Sequence, residues 1–201
     1  MKEYIGDVLY DYAGGIYVNL TNKCPCRCEF CIRNMVDSLG GADSLWLKRE
    51  PSVSEVIDML SEWDLSKYGE IVFCGYGEPT ERLLEVFEIC RYIKANTGLR
   101  CRINTNGLSD LINKRETAPE FEGIIDAVSI SLNAADGEKY CNLCHPDFGA
   151  EAYDAILKFT EDIKNYVSDV TMSVVGGTIP KEDISVCRKI AEGMGVKFRV
   201  R

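Results

Sequence analysis

Cys24, Cys28 and Cys31 stand in the run Thr21-Asn22-Lys23-Cys24-Pro25-Cys26-Arg27-Cys28-Glu29-Phe30-Cys31, at C-x3-C-x2-C spacing directly after an apolar segment of β type. A loop so short can wrap one corner of an iron–sulfur cube, giving thiolates to three irons and leaving the fourth open, whereas most such clusters take four cysteine ligands. An iron with a free position can hold a reactant. Cys26 lies inside the same loop, as a bystander, an alternative ligand, or a fourth ligand that closes the cluster. Neighbouring residues of a tight loop point different ways, so four adjacent thiols do not readily reach four corners of one cube, and Cys26 reads as a bystander.

A second group, Cys141-Asn142-Leu143-Cys144-His145, follows Asp136-Gly137-Glu138-Lys139-Tyr140. C-x-x-C-H can mark covalent haem attachment, and C-x-x-C a redox pair or half of a zinc site. Here it falls at a helix start near the expected active rim and reads as a pair of helical or substrate-facing thiols. Cys28-x2-Cys31 with Cys141-x2-Cys144 is the inorganic rival, a four-thiolate zinc site, although the intervening segment far exceeds the usual knuckle spacing. Cys74 closes a strand and faces the same rim, while Cys90, Cys101 and Cys187 sit on apolar faces and read as core. His145 is the only histidine, no Gly-x-Ser-x-Gly elbow presents a nucleophile, and no Gly-x4-Gly-Lys-Ser/Thr loop cradles a phosphate.

The chain that must position these groups has 201 residues, 46% of them hydrophobic, which suits one domain, 1–201, with a buried core. Ten cysteines in a chain with a core and no signal peptide imply a reduced, cytoplasmic protein rather than a disulfide scaffold. No apolar run approaches the ~20 residues of a membrane span. A net charge of −9 with scattered lysines and arginines argues against nucleic acid as a partner.

Strands are expected at residues 16–20, 70–74, 100–104, 127–132, 170–175 and 196–200, each short, rich in Val and Ile, and followed by a polar or glycine-bearing turn. Amphipathic helices lie between them. Val53, Val56, Ile57, Leu60 and Trp63 form one apolar face, with Ser52-x-x-Glu55 as a capping box behind Pro51. Leu83, Phe87 and Cys90 form a second face, Tyr153, Ile156, Leu157 and Ile163 a third, and Ile184, Cys187, Ile190, Ala191 and Met194 a fourth. Alternating strands and helices imply a parallel sheet with right-handed crossovers, and six units are too few to close a barrel. The expected fold is therefore an α/β open partial TIM barrel.

In such a sheet chemistry gathers at the C-terminal strand ends. The cysteine loop follows the first strand, Gly75-Tyr76-Gly77-Glu78-Pro79-Thr80 the second, and Thr105-Asn106-Gly107 the third, which Asn104 closes; Ser131 and Asn133 end the fourth, and Gly176-Gly177-Thr178 follows the fifth. Gly75-x-Gly77 lacks the third glycine of a dinucleotide loop, and Glu78 would repel phosphate. Two readings stand for this turn: a tight entry to the helix after Pro79, or an acceptor site for an ammonium group, built from glycine-exposed carbonyls and a carboxylate.

With these motifs in place, the chain resembles the radical S-adenosylmethionine superfamily. The cysteine loop matches its C-x3-C-x-aromatic-C signature, with Phe30 in the aromatic position, and Gly75-Tyr76-Gly77-Glu78-Pro79 resembles its GGE-type motif. The resemblance runs from about Gly15 to the C-terminus and implies a (βα)6 radical S-adenosylmethionine core. It makes Cys24, Cys28 and Cys31 the ligands of one four-iron, four-sulfur cluster, with S-adenosylmethionine on the open iron. Phe30 then belongs to the S-adenosylmethionine pocket; Tyr76, Gly77 and Glu78 would meet the amino group, Asn104, Thr105, Ser131 and Asn133 the ribose or carboxylate, and the turn near 175–177 the adenine. Cys74, Cys141 and Cys144 could contact the substrate or this pocket. The implied reaction is reductive cleavage to a 5′-deoxyadenosyl radical that takes hydrogen from a small-molecule, peptide or protein substrate, with flavodoxin or ferredoxin as electron donor.

The stretch Tyr17-Val18-Asn19-Leu20-Thr21-Asn22-Lys23-Cys24-Pro25-Cys26 resembles a compact subgroup associated with TatD-family hydrolases, which implies such a hydrolase as partner. Alternatives are an activase that installs a glycyl radical on a partner protein, and a non-enzymatic structural zinc or closed iron–sulfur protein. No cysteine-rich segment follows Phe198-Arg199-Val200-Arg201, so no auxiliary-cluster domain is expected.

Overall fold

The computed structural model describes residues 3–201; Met1 and Lys2, part of the charged N-terminal segment, lie outside them. Seven strands form one sheet in chain order: β1 (Leu9–Tyr12), β2 (Gly15–Val18), β3 (Glu70–Phe73), β4 (Arg100–Thr105), β5 (Ala127–Ser131), β6 (Asp169–Val174) and β7 (Lys197–Val200). All neighbours from β2 to β7 pair in parallel, and β1 pairs antiparallel with β2. The two ends of the sheet do not pair with each other, so the barrel is open.

The six expected strands are present with shifted ends, and β1 is an addition. Its hairpin turns through Ala13 and Gly14, both at positive φ (51° and 81°), as a two-residue turn between right-twisted strands requires. Alanine there carries no turn signal, which is why the hairpin was not expected.

Side chains alternate across the strands and so divide the molecule into two regions. Ile71, Phe73, Cys101, Ile103, Val128, Ile130, Met172 and Val174 face outward into a fully buried core shared with the helices. Those helices include α1 (Val53–Ser61), α2 (Leu83–Asn96), α3 (Ser109–Asn113), α4 (Gly137–Cys144), α5 (Glu151–Ile163) and α6 (Lys181–Gly193). Val56 and Leu60 anchor α1, Phe87 and Cys90 anchor α2, Ile156 and Phe159 anchor α5, and Cys187 anchors α6. Phe121 joins two of them, its ring 5.1 Å from Phe87 and 5.8 Å from Phe159. The capping box forms as expected: Ser52 Oγ accepts from Glu55 N, and the Glu55 carboxylate accepts from Ser52 N at 2.8 Å. Trp63 lies beyond the end of α1 but still packs on the core.

The opposite, concave face differs along its length. Over β1–β3 it is aromatic, with Tyr10, Tyr17, Val72 and Tyr76 packed beneath Ala42 and Leu45. Over β4–β7 it is polar, and Arg102 there makes a two-pronged ion pair with Glu70, at 2.7 and 3.1 Å. Among the described residues no helix is long and apolar enough to cross a membrane.

Ala13 holds a left-handed conformation that costs an L residue about 1–2 kcal/mol. Replacing it with glycine is expected to raise stability by about 1 kcal/mol, measured as a higher urea midpoint at unchanged slope.

Candidate functional site

The cysteine loop leaves β2 at the C-terminal rim and runs without regular structure to a short 3-10 turn at Ile32–Asn34. It is held from one side by the end of α4. The last carbonyls of a helix lack partners within it, and here Cys144 O accepts from Arg27 N at 2.9 Å and Leu143 O from Glu29 N at 3.1 Å. Asp147 N donates to Pro25 O at 2.7 Å, Arg27 pairs with Asp147, and His145 Nε2 lies 3.3 Å from Glu29. His145 takes a left-handed conformation (φ 44°) that ends the helix and turns the chain toward the loop. The Cys141–His145 group thus serves as a clasp for the first cysteine loop.

The thiols divide by burial. Cys24, Cys28 and Cys31 are half-buried, whereas Cys26 is buried, with Sγ 3.7 Å from Tyr140 Oη and 3.9 Å from Asn106 Nδ2. Contact with Cys26, together with burial, raises the Cys24 thiol well above its ordinary range. Contact with Cys24 favours ionisation of Cys26, but contact with Cys28 and burial outweigh it and push Cys26 up to about 12. Cys28 is raised chiefly by its contact with Cys144.

Among the described residues, no three His, Cys, Asp or Glu side chains converge as the ligands of one ion. Although Cys144 touches Cys28, the Cys141 thiol donates to Gly149 O at 3.4 Å, so the expected zinc alternative does not assemble. A cubane does not need convergence on one point, because it takes each thiolate at a separate iron. Three half-buried soft donors on one short loop fit that group.

The glycine turn after β3 lies directly against the start of the cysteine loop. A Cβ on Gly77 would overlap Thr21 O and come within 2.6 Å of Lys23 O, and one on Gly75 would overlap the Asn19 side chain. Both positions therefore exclude any side chain. Glu78 N donates to Lys23 O at 2.8 Å, joining the turn to the residue before Cys24.

The Glu78 carboxylate is buried and accepts four hydrogen bonds: from Thr80 N (3.1 Å), Thr80 Oγ1 (2.8 Å), Thr105 Oγ1 (2.7 Å) and Asn106 N (2.7 Å). Burial raises its pKa, and these donors offset only part of the rise, so the carboxyl stays above its ordinary range. Glu78 thereby ties the ends of β3 and β4 together. Asn106, which the sequence reading left without a role, receives the carboxylate at its N–H and faces Cys26 with its amide. Its Oδ1 accepts from Leu108 N at 2.9 Å, an Asx turn of the kind that Asn-Gly signals in a sequence.

The other expected site residues occupy different levels. Phe30 is half-buried against the main core. Tyr76 is buried, donates its hydroxyl to Val36 O and meets the Trp46 ring edge-on at 5.1 Å. Thr105, besides serving Glu78, accepts from Gly107 N at 3.0 Å. Asn104 Oδ1 accepts from Arg102 at 2.9 Å, and Ser131 Oγ from Arg201 at 2.9 Å. Asn133, at φ 58°, is buried with its Oδ1 unpartnered. In the 175–177 turn, Gly176 N donates to Arg201 O at 2.7 Å. Glu78, Thr105 and Gly77 thus form one connected unit with the cysteine loop, while Asn104 and Ser131 face the polar concave surface.

Comparison with known proteins accords with this arrangement. The chain is 28% identical over 160 residues to a dual-specificity RNA methyltransferase, RlmN, of Campylobacter fetus subsp. fetus (strain 82-40), covering 72% of this chain and 41% of that one. It therefore spans less than half the length of that curated relative. A radical SAM methyltransferase from Sphaerobacter thermophilus superposes with a TM-score of 0.64 at 16% identity, over 96% of this chain and 68% of that chain. Native anSMEcpe with bound AdoMet superposes with a TM-score of 0.62 at 20% identity, over 90% of this chain and 49% of its own. These two likenesses establish the fold, a partial TIM barrel. A family model described as the radical SAM superfamily matches residues 18–189, most of the chain, and the chain belongs to that superfamily of enzymes.

Proposed function

We propose that this protein is a radical S-adenosylmethionine enzyme whose Cys24, Cys28 and Cys31 hold one four-iron, four-sulfur cluster. When bound, that cluster supplies one electron to S-adenosylmethionine, whose S–C5′ bond breaks to give a 5′-deoxyadenosyl radical that takes hydrogen from the substrate. The observation that carries the reading is the join between the cysteine loop and the glycine turn, made by Glu78 N on Lys23 O and by the overlap that keeps Gly77 bare. It brings the carbonyls of a glycine-bearing turn beside the cluster ligands, where an ammonium group needs acceptors.

Within this reading Tyr76 and Gly77 meet the amino group from the main chain, and Glu78 and Thr105 keep that main chain in place. Asn104, Ser131 and Asn133 meet the ribose or carboxylate; the unpartnered Asn133 Oδ1 is a ready acceptor for a hydroxyl. Phe30 closes the loop against the core. Cys26 stays off the cluster, because it is turned inward against Tyr140. The chain's own work is orientation and exclusion of water from the radical.

An open groove of about 680 Å³ passes Cys24 and is lined by Lys23, Arg27, Arg33 and Lys114, with Glu81 and Asp147. In a chain of net charge −9 this local excess of cations supports an acidic electron carrier such as flavodoxin or ferredoxin as donor. Association with a TatD-family hydrolase rests on the Tyr17–Cys26 resemblance alone.

After anaerobic cluster reconstitution and reduction, the protein should convert S-adenosylmethionine to 5′-deoxyadenosine and methionine. Cys28→Ser should abolish both products and Cys26→Ser should retain them, measured by chromatography. Failure of a fully loaded, reduced protein to cleave the sulfonium would falsify the reading, and equal loss in Cys26→Ser would reassign the ligands.

Glu78→Gln puts an amide N–H2 in place of one carboxylate oxygen; set at Oε2 it faces the Asn106 N–H, which only donates, and leaves that donor unpaired. It should cost about 1–3 kcal/mol in chemical denaturation and weaken S-adenosylmethionine binding in calorimetry. Unchanged stability would show that the carboxylate is not the tie between β3 and β4.

A further inference from the structure

The concave face of β3–β7 holds a half-open cavity of about 240 Å³ at the strands' N-terminal halves, away from the cysteine loop, with Arg100 and Arg199 at its exposed edge. Arg100, Arg102, Arg199, Ser129, Glu70 and Asp169 are among its lining residues. Two of the three arginines are neutralised in place: Arg102 by Glu70 at 2.7 Å, and Arg100 by Asp169 at 3.1 Å. Asp169 also takes Lys197 at 3.0 Å. Arg199 has no carboxylate partner among the described residues, so the cavity carries one uncompensated cation in a protein whose net charge is −9.

A second observation points the same way. Ser129 is 4% exposed, and its Oγ is buried without a hydrogen-bond partner. An unpaired buried hydroxyl is costly, and in a native structure it calls for a missing water, ion or ligand. The hydroxyl and the free guanidinium together suit an oxyanion, which accepts from both and accepts most strongly from arginine.

The position in the sheet says what the oxyanion is attached to. Asn104 and Ser131 lie two residues farther along the same strands than Arg102 and Ser129, on the same face. At about 3.3 Å per residue Ser129 sits roughly 6–7 Å below the rim where hydrogen abstraction is proposed, while Arg199, in register with Ser173 and through it with Ser131, is rooted at the rim level on β7. A molecule anchored in the cavity by an anionic end would therefore present a carbon a few bonds away to that rim.

We propose that this cavity binds a compact oxyanion, a carboxylate or phosphate carried by the substrate, with Arg199 as its recognition cation and Ser129 as a hydrogen-bond donor. The site assignment stands on the cavity itself, and its link to the substrate rests on the radical reading.

The test is calorimetric titration of the full chain with inorganic phosphate, sodium acetate and glycerol 3-phosphate at fixed ionic strength, for the wild type, Arg199→Gln and Ser129→Ala. Saturable binding of phosphate or acetate is expected, weakened at least about tenfold by Arg199→Gln. Ser129→Ala should also weaken binding while raising the melting temperature of the free protein by about 2 °C, since it removes an unpaired buried hydroxyl. Equal binding by wild type and Arg199→Gln, or no saturable binding by the wild type, overturns the site. If inorganic phosphate binds and glycerol 3-phosphate is excluded, the cavity takes a free ion and its link to the substrate is overturned. Absence of S-adenosylmethionine cleavage by the loaded, reduced wild type, with phosphate binding intact, defeats the radical reading and leaves the anion site standing.

Discussion

A carboxylate with no access to water must be surrounded by donors, and Glu78 satisfies this by drawing on two strands at once. Thr80 lies in its own turn, while Thr105 and Asn106 come from the end of β4. Because burying an ionised group without such partners costs several kcal/mol, the turn after β3 and the end of β4 hold one relative position. The cysteine loop inherits that position through Lys23 O, and Asn106 extends it to Cys26. The rim of the barrel is thus arranged around a single charge that faces inward, and its functional carbonyls are consequences of where that charge sits.

The two faces of the sheet carry separate tasks. Outward, fully buried apolar residues from every parallel strand fuse with the helices into one core. Inward, the first three strands are covered by aromatic packing against Ala42 and Leu45, and polar groups come from the last four together with Glu70 at the start of β3. An incomplete barrel leaves an unpaired side, and the aromatic half shows how this chain narrows the exposed remainder without adding strands.

The parallel core was legible because Ile71–Phe73 is a continuous apolar run, Val128 and Ile130, and Val170, Met172 and Val174, recur at every second position, and each helix repeats its apolar face at helical spacing. β1 was not, since Tyr10 and Tyr12 flank Asp11 and acquire their apolar neighbours only through the fold, from Tyr17 across the hairpin and, for Tyr10, from the irregular segment around Ala42 and Leu45. At the site, cysteine spacing and the glycine pair are local and could be read directly. The partners of Glu78 are ordinary threonines and an asparagine whose roles exist only after two strands meet. The clasp from α4 is less visible still, because it uses main-chain carbonyls that every residue possesses.

That clasp bears on when the loop can take shape. Arg27 and Asp147 are separated by 120 positions in the chain, so the loop stays without its main-chain support until β5 and α4 have been made and packed. Contacts of such sequence separation form late, and chains emerge from synthesis N-terminus first. The cysteines are among the earliest chemistry-bearing residues to appear and among the last to be organised. Their thiols accordingly stay unshielded until residues 143–147 have followed and packed.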